Sequence, residues 1–281
     1  MILAAFFNRR DSFTVSQTHS LPRRIRCHFR FVDSYRSNHL LDMDALVNES
    51  SLSEQIQLND TDAFPLVLTP KADCVKTLAD TVSFIEAHRD ELLVRLLGSG
   101  AILFRGFPVP DALAFDEFAR AFKWPTLPYV GGAAPRSQVT SIVFTSNESP
   151  PSQPIPFHHE MAQVPKFPEH IMFFCETPSK SGGETPIAFS PMVYERIQQA
   201  LPEFVDALEK KQVRYTRVLP NGDDATSPIG RGWQSTYLTQ DREQAEKTCR
   251  EQGTGKARSS RIPCIECLFC GKTRSGSTMA V

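Results

Sequence analysis

His158 and Glu160 stand two residues apart in the run Phe157-His158-His159-Glu160-Met161. In an extended segment, residues i and i+2 face the same side, so this spacing sets an imidazole and a carboxylate together and turns His159 away. That pair is two-thirds of a 2-His-1-carboxylate triad, the ligand set that holds non-haem Fe(II) and leaves positions open for reactants. A buried His–Glu hydrogen bond is the plainer alternative for the same two residues. The downstream run Gly182-Gly183-Glu184-Thr185-Pro186 adds a second feature, because paired glycines allow a tight turn and close backbone approach beside Thr185.

The elements that must position these residues follow from periodicity. Apolar residues at Leu78, Val82, Ile85, Leu92, Leu93 and Leu96 predict helix from Val75 to Leu97, stopped at Gly98. Ala101 to Phe107 reads as a strand closed by Pro108, and Asp111 caps a helix through Phe122. Residues 124–153, rich in Pro, Gly, Ser and Asn, predict a long binding loop with one strand around Ile142-Val143-Phe144. Strands are expected at 155–161, 170–176 and 184–189. Ser190 and Pro191 then open a helix as cap and first-turn proline, and a second helix spans Pro202 to Lys211. Gln212 to Val218 alternates as a half-buried strand, and a polar helix opens at Thr239 or Asp241 and ends near Gly253.

Three stretches differ in character. Residues 1–45 form an Arg-rich extension with few acids, suited to an organelle transit peptide or to a disordered arm. Residues 46–253 form the main domain. Residues 254–281 form a basic tail carrying Cys264, Cys267 and Cys270, a spacing that could also bind zinc. The net charge of −1 gives no reason to expect a nucleic-acid partner, and no apolar run reaches the roughly 18 residues of a membrane span. Seven cysteines, an odd number, do not read as a disulfide framework. The expected setting is intracellular and soluble, either cytoplasmic or, if the start is a transit peptide, a mitochondrion or plastid. A small-molecule substrate is the expected partner. Oligomeric state is not legible.

Leu103-Phe104-Arg105-Gly106-Phe107, the His-x-Glu run, the Gly-Gly-Glu-Thr-Pro run and the Ser190-Pro191 helix start occur in that order between Ala101 and about Gln252. Together they resemble the taurine dioxygenase / clavaminate synthase-like family of Fe(II)- and 2-oxoglutarate-dependent oxygenases. The resemblance implies a mainly β fold with flanking helices (α+β), built on a double-stranded β-helix, or jelly-roll, core. It implies His158 and Glu160 as iron ligands and Thr185 as a contact to a carboxylate of 2-oxoglutarate. Asn147 and Glu148 then lie on the substrate loop just before the iron ligands. The implied cofactors are Fe(II) and 2-oxoglutarate, and the implied reaction couples 2-oxoglutarate decarboxylation to oxidation of a small organic molecule.

The sequence departs from the family pattern in one respect. The family's second histidine follows far downstream, with a co-substrate arginine close behind it. The histidines here are 19, 28, 39, 88, 158, 159 and 170. His170 is the one downstream candidate, and a strand-end histidine with a local partner is the simpler reading of it. The jelly roll is therefore expected to be incomplete at the C-terminus. The alternative function is a catalytically inactive binding or regulatory form lacking the distal histidine and the arginine.

Overall fold

The computed structural model describes residues 2–5, residues 43–251 apart from 130, 131, 147, 149–151, 153, 163, 165, 166, 179, 181–184, 212 and 228, and the strands at 258–259 and 265–270. Most of the Arg-rich extension, Asn147, Gly182-Gly183-Glu184 and the side chains of the tail cysteines lie outside the described residues. The chain divides into two compact units.

The first unit comprises Met1–Phe7, Phe13–Pro125 and Glu169–Thr185. Its strands are β1 (Ile2–Ala5), β2 (Val47–Ser50), β3 (Ile56–Gln57), β4 (Ala63–Phe64), β5 (Leu66–Pro70), β6 (Ala101–Phe104) and β7 (His170–Phe173). Five of them form a sheet in the order β2-β5-β6-β1-β7, and β3 pairs with β4. Helix α1 (Leu78–Ser99) links β5 to β6, which run parallel with Leu66 opposite Ile102. A parallel pair needs such a crossover, because its strands start at the same end. The helix opens on a reciprocal cap: Asp80 N–H donates to Thr77 Oγ1 at 3.2 Å and Thr77 N–H to Asp80 Oδ2 at 2.8 Å. It ends at Gly100, whose φ of 73° suits the residue without a Cβ. Helix α2 (Ala112–Ala121) is capped by Asp111. Both helices bury an apolar stripe, with Phe84, Ile85, Leu92, Leu96 and Phe118 around Val67, Leu68, Ile102 and Phe104.

The second unit comprises Asn8–Ser12, Thr126–Pro168 and Pro186–Val281. Its sheet runs β8-β10-β9, from β8 (Arg214–Leu219), β9 (Arg258–Ser259) and β10 (Ile265–Cys270). β10 is antiparallel to β8, with Ile265 opposite Leu219 and Cys270 opposite Arg214. Two of these strands therefore come from the tail. The helices are α3 (Ser190–Ala200), α4 (Pro202–Lys211), α5 (Trp233–Tyr237) and α6 (Arg242–Glu251). Asp241 caps α6, accepting from the Glu243 and Gln244 amides at 2.9 and 3.4 Å. Met161, Val164, Leu219, Trp233, Tyr237, Ala245 and Cys249 make the core, with Tyr129 and Phe167 packed against it.

The described residues thus mix helices and strands in an α+β arrangement, and they form no closed barrel. Several expected elements need correction. Residues 155–161 are not a strand: Pro154 and Pro156, two apart, remove two ladder donors from one edge, and the chain turns at 160–162 with Met161 at φ 57°. The described residues 185–189 are also irregular, with Pro186 among them, and the strand at 170–176 stops at Phe173. Around Phe144 there is a single bridge, to Gln138, in place of a strand. Ser190 does not cap α3; that position falls to Phe189, which makes no side-chain cap bond. None of the described helices is long and apolar enough to cross a membrane.

Candidate metal centre

The irregular path through Pro154 and Pro156 fixes His158 directly. Its Nδ1 lies 2.8 Å from the Pro156 carbonyl, which can only accept, so the ring proton sits on Nδ1. In the neutral ring Nε2 then carries the lone pair, the form in which an imidazole ligates a metal. That nitrogen is 3.9 Å from Glu160 Oε2. The His158 side chain is 56% exposed, so the donor is reachable from solvent, while Glu160 is 15% exposed. The same-face expectation for residues two apart therefore holds as a proximity without the strand that suggested it.

Glu160 is held from its other side. Arg136 Nη2 lies 3.2 Å from both Oε1 and Oε2, so one guanidinium nitrogen sits symmetrically before the carboxylate. Its Nη1 donates to the carbonyls of Thr145 and Ser146 at 3.1 and 2.6 Å. Burial would depress the Arg136 guanidinium, but the charge of Glu160 and the neighbouring Tyr129 outweigh it and raise it above the usual arginine value. Tyr129 is a hub. Arg136 covers its ring at 4.9 Å and Arg231 at 5.2 Å. Its hydroxyl accepts from the Ala134 amide at 3.3 Å. Gly132 makes this possible, since a Cβ there would stand 2.2 Å from Tyr129 Cζ. Arg231 Nη1 donates to the Gly132 carbonyl at 3.3 Å and to that of Tyr129 at 3.4 Å, and Nη2 donates to Ser235 O. Burial lowers the Arg231 guanidinium, Tyr129 and Asp223 oppose that, and the like charge of Arg136 adds to it.

The remaining predicted residues have separate places. Glu148 turns back on its own loop, accepting from Ser137 N–H at 2.7 Å and Thr145 Oγ1 at 2.6 Å, and these bonds hold its carboxyl below the usual range. Asn147 lies outside the described residues. Thr185 is exposed at the end of the first unit. His170, also in the first unit, stacks on Trp124 with ring centroids 4.2 Å apart. Burial lowers its pKa, with Glu169 opposing. His159 faces away from the His158–Glu160 pair: its Nε2 is 2.7 Å from Ser190 Oγ, the hydroxyl that fails to cap α3. Burial and the neighbouring His158 lower its pKa.

As metal donors, His158 Nε2 and Glu160 Oε2 fit. Adjacent ligands about 2.1 Å from a metal and at right angles stand about 3 Å apart, so a side-chain adjustment of about 1 Å would close the pair. The Arg136 nitrogen leaves each carboxylate oxygen further lone pairs. Among the described residues no group of three ligating side chains forms, so these two are the donors this arrangement supplies. Sequence reasoning missed Arg136, Tyr129 and Arg231. The available signal was Arg136 itself, the one arginine between 124 and 168.

The model of the "Taurine catabolism dioxygenase TauD, TfdA family" matches residues 63–261, a span that includes His158, Glu160 and Thr185. The chain belongs to this family. It is 49% identical over 197 residues to the clavaminate synthase-like protein At3g21360 of Arabidopsis thaliana, covering 68% of this chain and 59% of that one. It is 30% identical over 160 residues to the dapdiamide synthesis protein DdaC of Enterobacter agglomerans, covering 57% of this chain and 45% of that one. This TauD/TfdA-family chain thus spans about half the length of the relatives it matches.

Proposed function

We propose that this chain is an Fe(II)/2-oxoglutarate-dependent oxygenase-like protein that oxidises a small organic molecule. In this reading His158 and Glu160 are two of the metal ligands, Thr185 contacts a carboxylate of 2-oxoglutarate, Asn147 and Glu148 belong to the substrate loop, and the core is of jelly-roll type. The observation that carries it is the His158 imidazole, whose Nδ1 faces the Pro156 carbonyl and whose Nε2 lies 3.9 Å from the Glu160 carboxylate, inside the family-matched region.

Fe(II) held there would supply the redox chemistry by which O₂ and 2-oxoglutarate oxidise a C–H bond. The chain's own residues do the positioning. The Pro156 carbonyl keeps the His158 proton on Nδ1. Arg136 orients both oxygens of Glu160 and compensates its charge. Ile155 and Phe157, on either side of Pro156, are exposed apolar side chains next to His158 in the chain, a surface suited to an organic substrate.

A second reading is favoured by one sequence fact: no histidine follows His170 in these 281 residues. On that reading the chain is a catalytically inactive binding or regulatory form without the distal ligand and the co-substrate arginine. Succinate formation separates the two. The purified chain is given Fe(II), O₂ and 2-oxoglutarate, with a His158→Ala variant as control. Succinate above the control supports the oxygenase. A folded protein yielding no more succinate than the control supports the inactive form.

A further inference from the structure

We infer that Arg136 is a positioning residue that sets Glu160 and the loop 137–146 by a single guanidinium. Its Nη2 bridges both carboxylate oxygens of Glu160, and its Nη1 takes the Thr145 and Ser146 carbonyls. The loop closes on itself beside these bonds. The Ser137 amide donates to Thr145 Oγ1 and Glu148 Oε1, the Thr145 amide to the Ser137 carbonyl at 2.9 Å, and the Val139 and Thr140 amides to the Val143 carbonyl. Thr145 and Ser146 therefore reach Glu160 through one side chain, with no direct bond needed.

The geometry favours positioning over simple ion pairing. An exposed Arg–Glu pair is loosely held, but here the two side chains are only 14% and 15% exposed. Tyr129 fixes the guanidinium from one face at 4.9 Å. The planar fork divides its two amino nitrogens between carboxylate and loop, which the single ammonium of lysine cannot do in the same geometry. Arg217 provides the contrast. Its Nη2 donates to the Ala133, Ile229 and Arg231 carbonyls at 3.4, 3.1 and 3.0 Å, so it pins the start of the same loop region to the segment at 229–231.

Two measurements test this on the full chain. The first is amide hydrogen exchange at Ser137, Val139 and Thr145 in wild type, Arg136→Met, Glu160→Gln and the double variant. The expected result is exchange about tenfold faster or more in Arg136→Met, faster exchange in Glu160→Gln, and a double variant close to Arg136→Met alone. Additive effects in the double variant, or loop amides indifferent to Glu160→Gln, would overturn the coupling. This arm needs no metal. The second is Co(II) titration of wild type, Arg136→Met and Arg217→Met, and it rests on the proposed ligand role of His158 and Glu160. Positioning predicts Co(II) affinity weaker by about 10–100-fold in Arg136→Met and near wild type in Arg217→Met. Affinity unchanged or tighter in Arg136→Met would show that the guanidinium does not position the ligand. A wild-type chain that binds no Co(II) while the exchange coupling persists would sink the metal reading and leave the loop coupling standing.

Discussion

Arg95 gives the sharpest test of the forces holding the first unit. The residue is 4% exposed and stands among three carboxylates. Its Nε and Nη2 reach Glu91 Oε1 at 3.2 and 2.9 Å, Nη1 bonds Glu49, and Nη2 lies 3.4 Å from Asp44. Glu91 is itself 3% exposed; among the described residues its second oxygen has no hydrogen-bond partner, and it lies 3.7 Å from His88 Nδ1. Arg95→Met would leave that carboxylate buried and unpaired, which costs about 3–5 kcal/mol. Glu49 and Asp44 are more than half exposed on their side chains, so Glu49→Gln should cost under about 1 kcal/mol. Arg95→Met with Glu91→Leu removes both charges and should recover most of the loss, because a buried pair replaced by apolar groups is close to neutral. Urea unfolding followed at Trp124, which lies in this unit, reads the differences. A cost below about 1 kcal/mol for Arg95→Met, or a double variant no better than the single, would refute the reasoning.

Two further outcomes are expected. Gly132→Ala forces the Tyr129 ring off its seat and should cost about 1–3 kcal/mol by overcrowding, read as a lower urea midpoint at Trp233; an unchanged midpoint would show that the ring moves freely. Stability should also fall on acidification through the ordinary histidine range. Burial holds His159 and His170 below 6.5, so the unfolded chain binds more protons between each folded value and 6.5, and stability in that window rises with pH. The loss therefore begins near about pH 6.5 and continues downward. His170→Asn should flatten part of it, and an unaltered profile in that variant would contradict the assignment.

Local chemistry was legible where one element settles it. The helical spacing of Leu78, Ile85, Leu92 and Leu96 marked α1, although the helix runs past the expected stop at Gly98 to Ser99, and Asp111 marked the cap of α2. The His158–Glu160 pair was legible as a spacing, although the prolines that forbid the strand also set the imidazole tautomer. What could not be read were partners brought together by tertiary contact. Arg136 meets Glu160 across 24 positions, and Arg231 meets Tyr129 across 102. No local period encodes such pairings. Ser190 shows the converse. Its type suits a helix cap, yet His159 claims the hydroxyl from 31 positions away, and tertiary contact overrides local preference.

Fe(II) binding by the intact chain under anaerobic conditions, with 2-oxoglutarate present, tests whether His158 and Glu160 hold the metal. Wild type is compared with His158→Ala and Glu160→Gln, each checked for folding at Trp233. One Fe(II) per chain is expected in wild type, with loss of that site in both variants. A folded wild-type chain that binds no Fe(II), or binding that survives both substitutions, would contradict it.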